Sequence, residues 1–364
     1  MRNARRFFWP NATVTFKGRV PAGCDLESRF SSLMESSMRS HLFHRTASLS
    51  LATLALLASS LQASAQTSFP TGTVRFVAPF SASTPPDIIS RIVSKELAES
   101  EGWRVIVENR PGGVTTIAAT DVLTQPADGN SLYAMSVPSV AAPSLVPNIP
   151  FDLSRDFDPV IKATVSYNVL VVNPSVPAKT VAELVTLLKS QPDKLTFSSG
   201  GFGTPAHLIG EQFKLQTGTR AQHVPYAQFP QAIGDLLNGT NAFMFITMLP
   251  VVDLIKTGKL RALAVTGPKR VPILPDVPTI VEAGYPSLVV EDWTGFAVRH
   301  GTPKQTVARL NAAINKALQK PSVREALAKI GAEPVGGTPE QFGRLVGDQV
   351  AHWHDVVAGM KVQQ

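Results

Sequence analysis

Short apolar runs alternate along this chain with stretches in which apolar residues recur every three or four positions. Val74 to Phe80 is a β-branched and aromatic run broken only by Arg75, the pattern of a mostly buried strand. After a small polar loop, Ser81 to Thr84, the residues Ile88, Ile89, Ile92, Val93 and Leu97 fall on one face of a helix. Thr84 is placed to cap that helix through its hydroxyl, and Pro85 suits the first helical position. Asp87 stands three residues on, where a carboxylate can reach back. A strand feeding a capped helix through a tight loop makes an anion site, because the first N–H groups of the helix point at the strand end. An ordinary βα turn shares this pattern. What sets it apart is that the chain repeats it.

The repetition comes in two series. Arg104 to Glu108 reads as a strand, Asn109 to Gly113 as a turn, Thr116 to Leu123 as a helix and Leu132 to Met135 as a strand running into a loop, Ser136 to Ser139. The second series begins with Val169 to Val172, and Thr180 with Glu183 forms a capping box for a helix through Leu188. Leu195 to Ser198 leads into a glycine-rich loop, Ser199 to Pro205, with a helix from about His207. Strands follow at Ala221 to Val224, Ala242 to Ile246 and Leu260 to Thr266, with a helix from about Gln231. Phe296 to Val298 is a last strand, and helices start at Thr302-Pro303 with Gln305, Ser322 with Glu325, and Thr338-Pro339 with Gln341. Such alternation predicts an α/β fold with a largely parallel sheet. Two series imply two lobes, residues 66–168 plus 292–364 and residues 169–291. The chain would cross near Tyr167 to Val171 and return near Glu291 to Val298. A ligand would sit beyond the strand ends, in the cleft between the lobes.

The first 65 residues stand apart. Leu49 to Leu61 is an apolar run too short to span a bilayer, preceded by Arg39, His41, His44 and Arg45 and followed by Ala63-Ser64-Ala65. That is a secretory signal peptide beginning at Met34 or Met38 and cleaved after Ala65. Before it, Arg5-Arg6 lacks the apolar run of a twin-arginine signal, and Ala22-Gly23-Cys24 lacks that of a lipoprotein. A translation start placed too far upstream accounts for residues 1–33. Of the 34 basic and 27 acidic residues, eight and three lie in this leader, so the formal charge of +7 falls to +2 in the exported chain. A nucleic-acid footprint is thereby excluded. The single cysteine, Cys24, leaves with the leader, and thiolate and disulfide chemistry with it.

The remaining chemistry is sparse. Gly201-Phe202-Gly203 lacks the third glycine and acidic partner of a dinucleotide fingerprint, and no phosphate-binding lysine motif occurs, so no cofactor is expected. His352 and His354, two apart on a helix, point to different faces and make no metal pair. Ser198 to Gly201 is not a nucleophile elbow; Ser199 and His207 flank one loop, but no acidic residue is placed to orient the imidazole. What remains is a set of loops rich in hydroxyls and glycine: Ser81 to Thr84, Gly112 to Thr116, Ser136 to Ser139, Ser199 to Thr204, and Tyr226 to Phe229. Hydroxyl and backbone donors so arranged grip carboxylates without a formal charge.

At these residues the chain resembles the substrate-binding receptors of tripartite tricarboxylate transporters, the Bug receptors. The resemblance runs from about Val74 to the C-terminus. It rests on Val74 to Phe80, Glu108-Asn109-Arg110-Pro111-Gly112, Val171 to Pro177, His223-Val224-Pro225-Tyr226, Gly258 to Thr266, Leu274-Pro275-Asp276-Val277-Pro278-Thr279 and Gly301-Thr302-Pro303. It implies a type II periplasmic binding-protein fold, two α/β lobes joined by two hinge crossings and closing on a small organic acid. It further implies periplasmic location, integral membrane transporter subunits as partners, and no catalysis. The residues carried over as ligand-binding are Ser81, Ser83, Thr84, Asp87, Thr115, Thr116, Ser136, Ser139, Ser199, Gly203, Thr204, His207 and Tyr226. A ligand-presenting receptor for a membrane sensor is the first alternative, and a diverged hydrolase the second. The chain also departs from the family. Ser-Ala-Ser-Thr-Pro-Pro replaces a glycine-rich run before Asp87, Val114 and Thr115 replace glycines, and Ala242 and Ile246 stand where the family has Asp. Ser81, Ser83 and Thr84 are therefore expected to supply donors in place of lost N–H groups. Phe202 and Phe229 point to an acid with an apolar or aromatic body.

Overall fold

The computed structural model describes residues 69–226 and 229–360. The expected leader and its cleavage after Ala65 lie outside the described residues, as do Ala227 and Gln228 of the last ligand loop.

Two sheets organise the chain. The first combines β1 (Val74–Ala78), β2 (Val105–Asn109), β3 (Ser131–Ser136), β4 (Phe157–Ser166) and the returning strands β10 (Asp292–Arg299) and β11 (Ala332–Pro334), in the order β11-β4-β10-β3-β1-β2. The second contains β5 (Asn168–Val172), β6 (Thr196–Ser199), β7 (Gln222–Pro225), β8 (Phe243–Thr247) and β9 (Arg261–Val265), in the order β7-β6-β8-β5-β9. Only Tyr167 separates the last strand of the first sheet from β5, and the chain re-enters the first sheet at Asp292. Val74, Phe76, Val77 and Ala78 are buried, and Phe76 meets Phe296 edge-on at 4.8 Å. Arg75 leaves this core by pairing with Glu108 and Asp121.

Helices cover both sheets: α1 (Pro85–Glu101), α2 (Thr116–Leu123), α3 (Val137–Leu145) and the single turn α4 (Leu153–Asp156) in the first lobe, and α5 (Val181–Ser190), α6 (Pro205–Thr217), α7 (Phe229–Leu237) and α8 (Val252–Lys256) in the second. Three closing helices, α9 (Lys304–Leu318), α10 (Pro321–Lys329) and α11 (Pro339–Gly359), return to the first lobe. Among the described residues no helix is long and apolar enough to cross a membrane.

Several local expectations need correction. The sheets are mixed rather than largely parallel: β10 runs antiparallel to β3 and β4, and β5 antiparallel to β8 and β9. These are the strands at the two crossings, where the chain enters a sheet from the opposite lobe. β4 escapes the sequence pattern because Pro159 and Lys162 interrupt it; the ladder accommodates Pro159 beside a register shift at Phe296/Ala297. The loop expected at 136–139 is absent, since β3 runs through Ser136 and α3 starts at Val137, with Pro138 in its first turn. Ser322 lies inside α10, whose N-terminal flank is Lys320. Thr338 and Gln341 do form the capping box expected of them.

Candidate functional site

Strands β1, β2 and β3 are parallel neighbours, so the loops after them emerge at one edge of the first sheet. In the β1–α1 loop, Ser83 adopts a left-handed backbone at φ 70°, and its N–H donates to Asp87 Oδ2 at 2.9 Å. Asp87 is 2% exposed and also accepts from Arg91 Nε at 3.0 Å and Asn109 Nδ2 at 2.9 Å. Burial pushes its carboxyl up, but Arg91, the Ser83 N–H and Asn109 together outweigh that and hold it below the usual carboxylate range. Asp87 is thus a brace for the loop, its oxygens taken. The Thr84 hydroxyl does not cap α1; it donates to the Ser81 carbonyl at 2.8 Å. Ser81 and Ser83 are exposed.

The β2–α2 loop carries two successive left-handed residues, Val114 at φ 48° and Thr115 at φ 74°. Neither is a glycine, and both are β-branched, the side-chain class least suited to that region. Thr115 is 1% exposed, and its hydroxyl has no partner. Thr116 opens α2 by donating its N–H to the Gly113 carbonyl. The end of β3 adds Ser136, 2% exposed, whose oxygen faces the Ser139 N–H in a capping box but whose O–H donates to no partner, while its N–H donates to Ser139 Oγ at 3.2 Å. Ser139 is locked to the Tyr133 hydroxyl at 2.8 Å, and that hydroxyl reaches the Thr115 carbonyl at 3.5 Å. Burial pushes the Tyr133 phenol up to about 12, so it remains a neutral donor. Tyr133 therefore ties together the two loops that hold the free hydroxyls.

In the second lobe β6 and β7 are parallel, and their loops also share an edge. Here the loop hydroxyls are consumed, while Ser198 within β6 keeps a buried hydroxyl without a partner. Ser199 Oγ lies 2.6 Å from His223 Nε2 and accepts from the Gly201 N–H at 3.1 Å. Thr204 Oγ1 donates to the Gly201 carbonyl at 2.7 Å, and Tyr226 OH donates to Asp235 at 2.7 Å and accepts from Asn241 at 2.6 Å. The Gly203 N–H donates to His207 Nδ1 at 3.1 Å, which places the proton of a neutral His207 ring on Nε2. Burial, then His223 and Lys214, lowers His207 to about 3; burial, then Lys214, lowers His223 to about 4. Both rings are neutral in ordinary buffers. They stack 4.3 Å apart between Phe197 and Phe202.

The two loop sets meet at one contact. A Cβ built on Gly203 would lie 2.6 Å from Val114 Cγ1 and 3.4 Å from Leu145 Cδ1, so those side chains of the first lobe rest on Gly203 of the second. Of the residues expected to bind ligand, Thr115 and Ser136 present buried unpartnered hydroxyls beside this contact. Asp87, Ser139, Ser199, Gly203, Thr204 and Tyr226 are committed within their own lobes. Sequence reasoning gave no site role to Asn109, Tyr133 or His223; the Asn109 role was findable, since it belongs to the Glu108 to Gly112 motif. An apolar cavity of about 110 Å³ lined by Met135, Leu153, Phe157 and Val346 lies away from these loops. Among the described residues no group of His, Cys, Asp or Glu is arranged to hold a metal.

Residues 89–362 match the family described as the tripartite tricarboxylate transporter family receptor. The chain belongs to that family. It is 34% identical over 291 residues to protein BugT of Bordetella pertussis, spanning 79% of this chain and 89% of that one. A Rhodopseudomonas palustris protein solved with adipate superposes with a TM-score of 0.72 at 33% identity, covering 80% of this chain and 98% of that one. MatC from the same organism, solved with bound malate, gives 0.71 at 31% identity, with 79% and 100% covered. The family is one of periplasmic binding receptors with two α/β lobes, as the sequence motifs imply.

Proposed function

We propose that this receptor captures a small organic acid by its carboxylate in the interlobe cleft, without chemical conversion, and delivers it to the membrane subunits of a tripartite transporter. One observation carries the reading: Thr115 after β2 and Ser136 at the end of β3, on either side of β1 in a single lobe, keep buried hydroxyls that donate to nothing. An unsatisfied buried hydroxyl costs about 1–3 kcal/mol, and a ligand carboxylate accepting from both offsets that cost on binding. The adipate and malate seen in relatives are of this class. Catalysis is disfavoured by the state of Ser199, which is fully buried; among the described residues no acidic side chain hydrogen-bonds His223.

The test is a thermal-shift panel of mono- and dicarboxylic acids, malate and adipate included, on the wild type and on Thr115→Ala/Ser136→Ala. A binding acid at a hundredfold excess over its Kd should stabilise the wild type by about 2.7 kcal/mol. The double variant should lose at least about tenfold in affinity while its unliganded melting point holds or rises, because two unsatisfied groups are gone. Undiminished affinity in the double variant would remove the hydroxyl anchor, and hydrolytic turnover of any bound acid would remove the receptor.

A further inference from the structure

We propose that Val114 is a specificity-determining residue that limits the cleft to short carboxylic acids by filling the passage between the lobes over Gly203. The inference rests on the reading of the cleft as a carboxylate site. Val114 lies immediately before Thr115, whose hydroxyl is one of the two free donors, so whatever that donor holds must pass the Val114 side chain. The isopropyl group closes the gap by seating Cγ1 and Cγ2 on Gly203, with Leu145 alongside. Gly203 cannot yield the room. Its φ of +76° requires glycine, and its N–H is held by His207 Nδ1. Beyond it, Phe202 is 44% exposed and extends the apolar wall. The second carboxylate of a long diacid would be pressed against aliphatic and aromatic carbon with no donor to receive it.

The backbone adds an independent argument. At φ 48° and ψ 55° a valine sits where β-branched residues rarely do, and Thr115 follows at φ 74°. A glycine at position 114 would take this conformation without strain. It would also leave the space over Gly203 open. A bulky side chain kept in a glycine-like conformation, in contact with the opposite lobe, is a wall whose position is fixed by the turn that carries it.

Four proteins test the proposal: the wild type, Val114→Gly, Gly203→Ala and the double variant, each titrated with butyrate, hexanoate, succinate, adipate and suberate. The wild type should favour the short acids. Val114→Gly should shift the preference toward hexanoate, adipate and suberate by at least about tenfold. Gly203→Ala should weaken every acid, because its methyl collides with Val114 and holds the lobes apart. Removing the valine in the double variant should recover part of that loss, the remainder being the cost of alanine at a left-handed position. An unchanged chain-length ranking in Val114→Gly, with native circular dichroism, overturns the role of Val114 while leaving the receptor intact. If no acid stabilises any of the four proteins, the proposal falls together with the reading beneath it.

Discussion

The two lobes present loops at corresponding strand ends, yet they build them by opposite means. In the first lobe the left-handed positions include Ser83, Val114 and Thr115 beside Gly112 and Gly113, and two buried hydroxyls are left over. In the second the left-handed positions fall on Gly201 and Gly203, and Ser199, Thr204 and Tyr226 are each bonded internally. In the loops at the strand ends, one side holds strained non-glycine residues and free hydroxyls and the other holds glycines and bonded hydroxyls, although within β6 the buried Ser198 hydroxyl is also without a partner. Strained, unsatisfied groups persist where surrounding structure fixes them and where a ligand uses them. On the proposed reading, the difference assigns the anchoring of the acid to the first lobe and a covering role to the second.

If one buried carboxylate holds the first lobe's strained loop, its removal should produce the largest effect. Asp87→Ala leaves the Ser83 N–H and Asn109 without their acceptor and frees Arg91, which should cost about 3 kcal/mol in urea unfolding and abolish acid binding. In the second lobe Tyr226→Phe removes one neutral hydroxyl from a distributed network and should cost only about 1 kcal/mol. Equal costs would erase the distinction between the lobes.

Much of this asymmetry was legible before any coordinates. The helix 116–123 and the capping box at Thr338 appear as read, and the strand read over Val74 to Phe80 appears with its end at Ala78, because local periodicity and cap chemistry decide them. The losses of glycine at 114 and 115 were visible too. Their consequence was not, because a β-branched residue argues against a left-handed turn, and tertiary context overrode that preference. Thr84 misled for a related reason: its hydroxyl found a nearer acceptor in the Ser81 carbonyl than any N–H of α1. Pairing Ser199 with His223 rather than His207 needs the parallel register of β6 on β7, in which Ser198 and Ser199 lie opposite Val224 and Pro225. No spacing along the chain encodes that.

The next effect belongs to the second lobe and depends on pH. His207 and His223 are lowered to about 3 and about 4 in the fold against 6.5 in the unfolded chain. The unfolded chain therefore takes up protons first, and stability should fall from about pH 6.5 down to about pH 4. Asp292, buried at the start of β10 and pushed up to about 7, has the opposite sign: it stays protonated in the fold while the unfolded chain ionises, so its contribution grows as pH falls from 7 to 4. Unfolding measured in an Asp292→Asn/His352→Gln background removes that opposing contribution and the like-signed one of His352 on α11. Adding His223→Gln should reduce the remaining slope, His207 keeping its share. A slope unaltered by that substitution would place the acid sensitivity elsewhere than in the second lobe's stacked rings.

The smallest effects come from exchanging the means by which the lobes turn. Ser83→Gly relieves a left-handed serine, worth roughly 1–2 kcal/mol, against about 0.4–1 kcal/mol of added freedom in the unfolded chain, for a net gain of about 0.5 kcal/mol. Gly201→Ala does the reverse. Its φ is +121° and the nearest atom to a new Cβ is the Tyr226 carbonyl oxygen at 3.9 Å, so no clash contributes and the loss, about 1 kcal/mol, is backbone strain alone. The same pair decides what the serine hydroxyls do. Ser83 is exposed and its N–H is occupied by Asp87, so acid affinity should survive Ser83→Gly if Thr115 and Ser136 are the anchors. A tenfold loss would instead make the Ser83 hydroxyl a ligand donor, as its position after β1 first suggested. The anchoring would then be shared among three loops of the first lobe, and the strain at Ser83 would be part of how that donor is aimed.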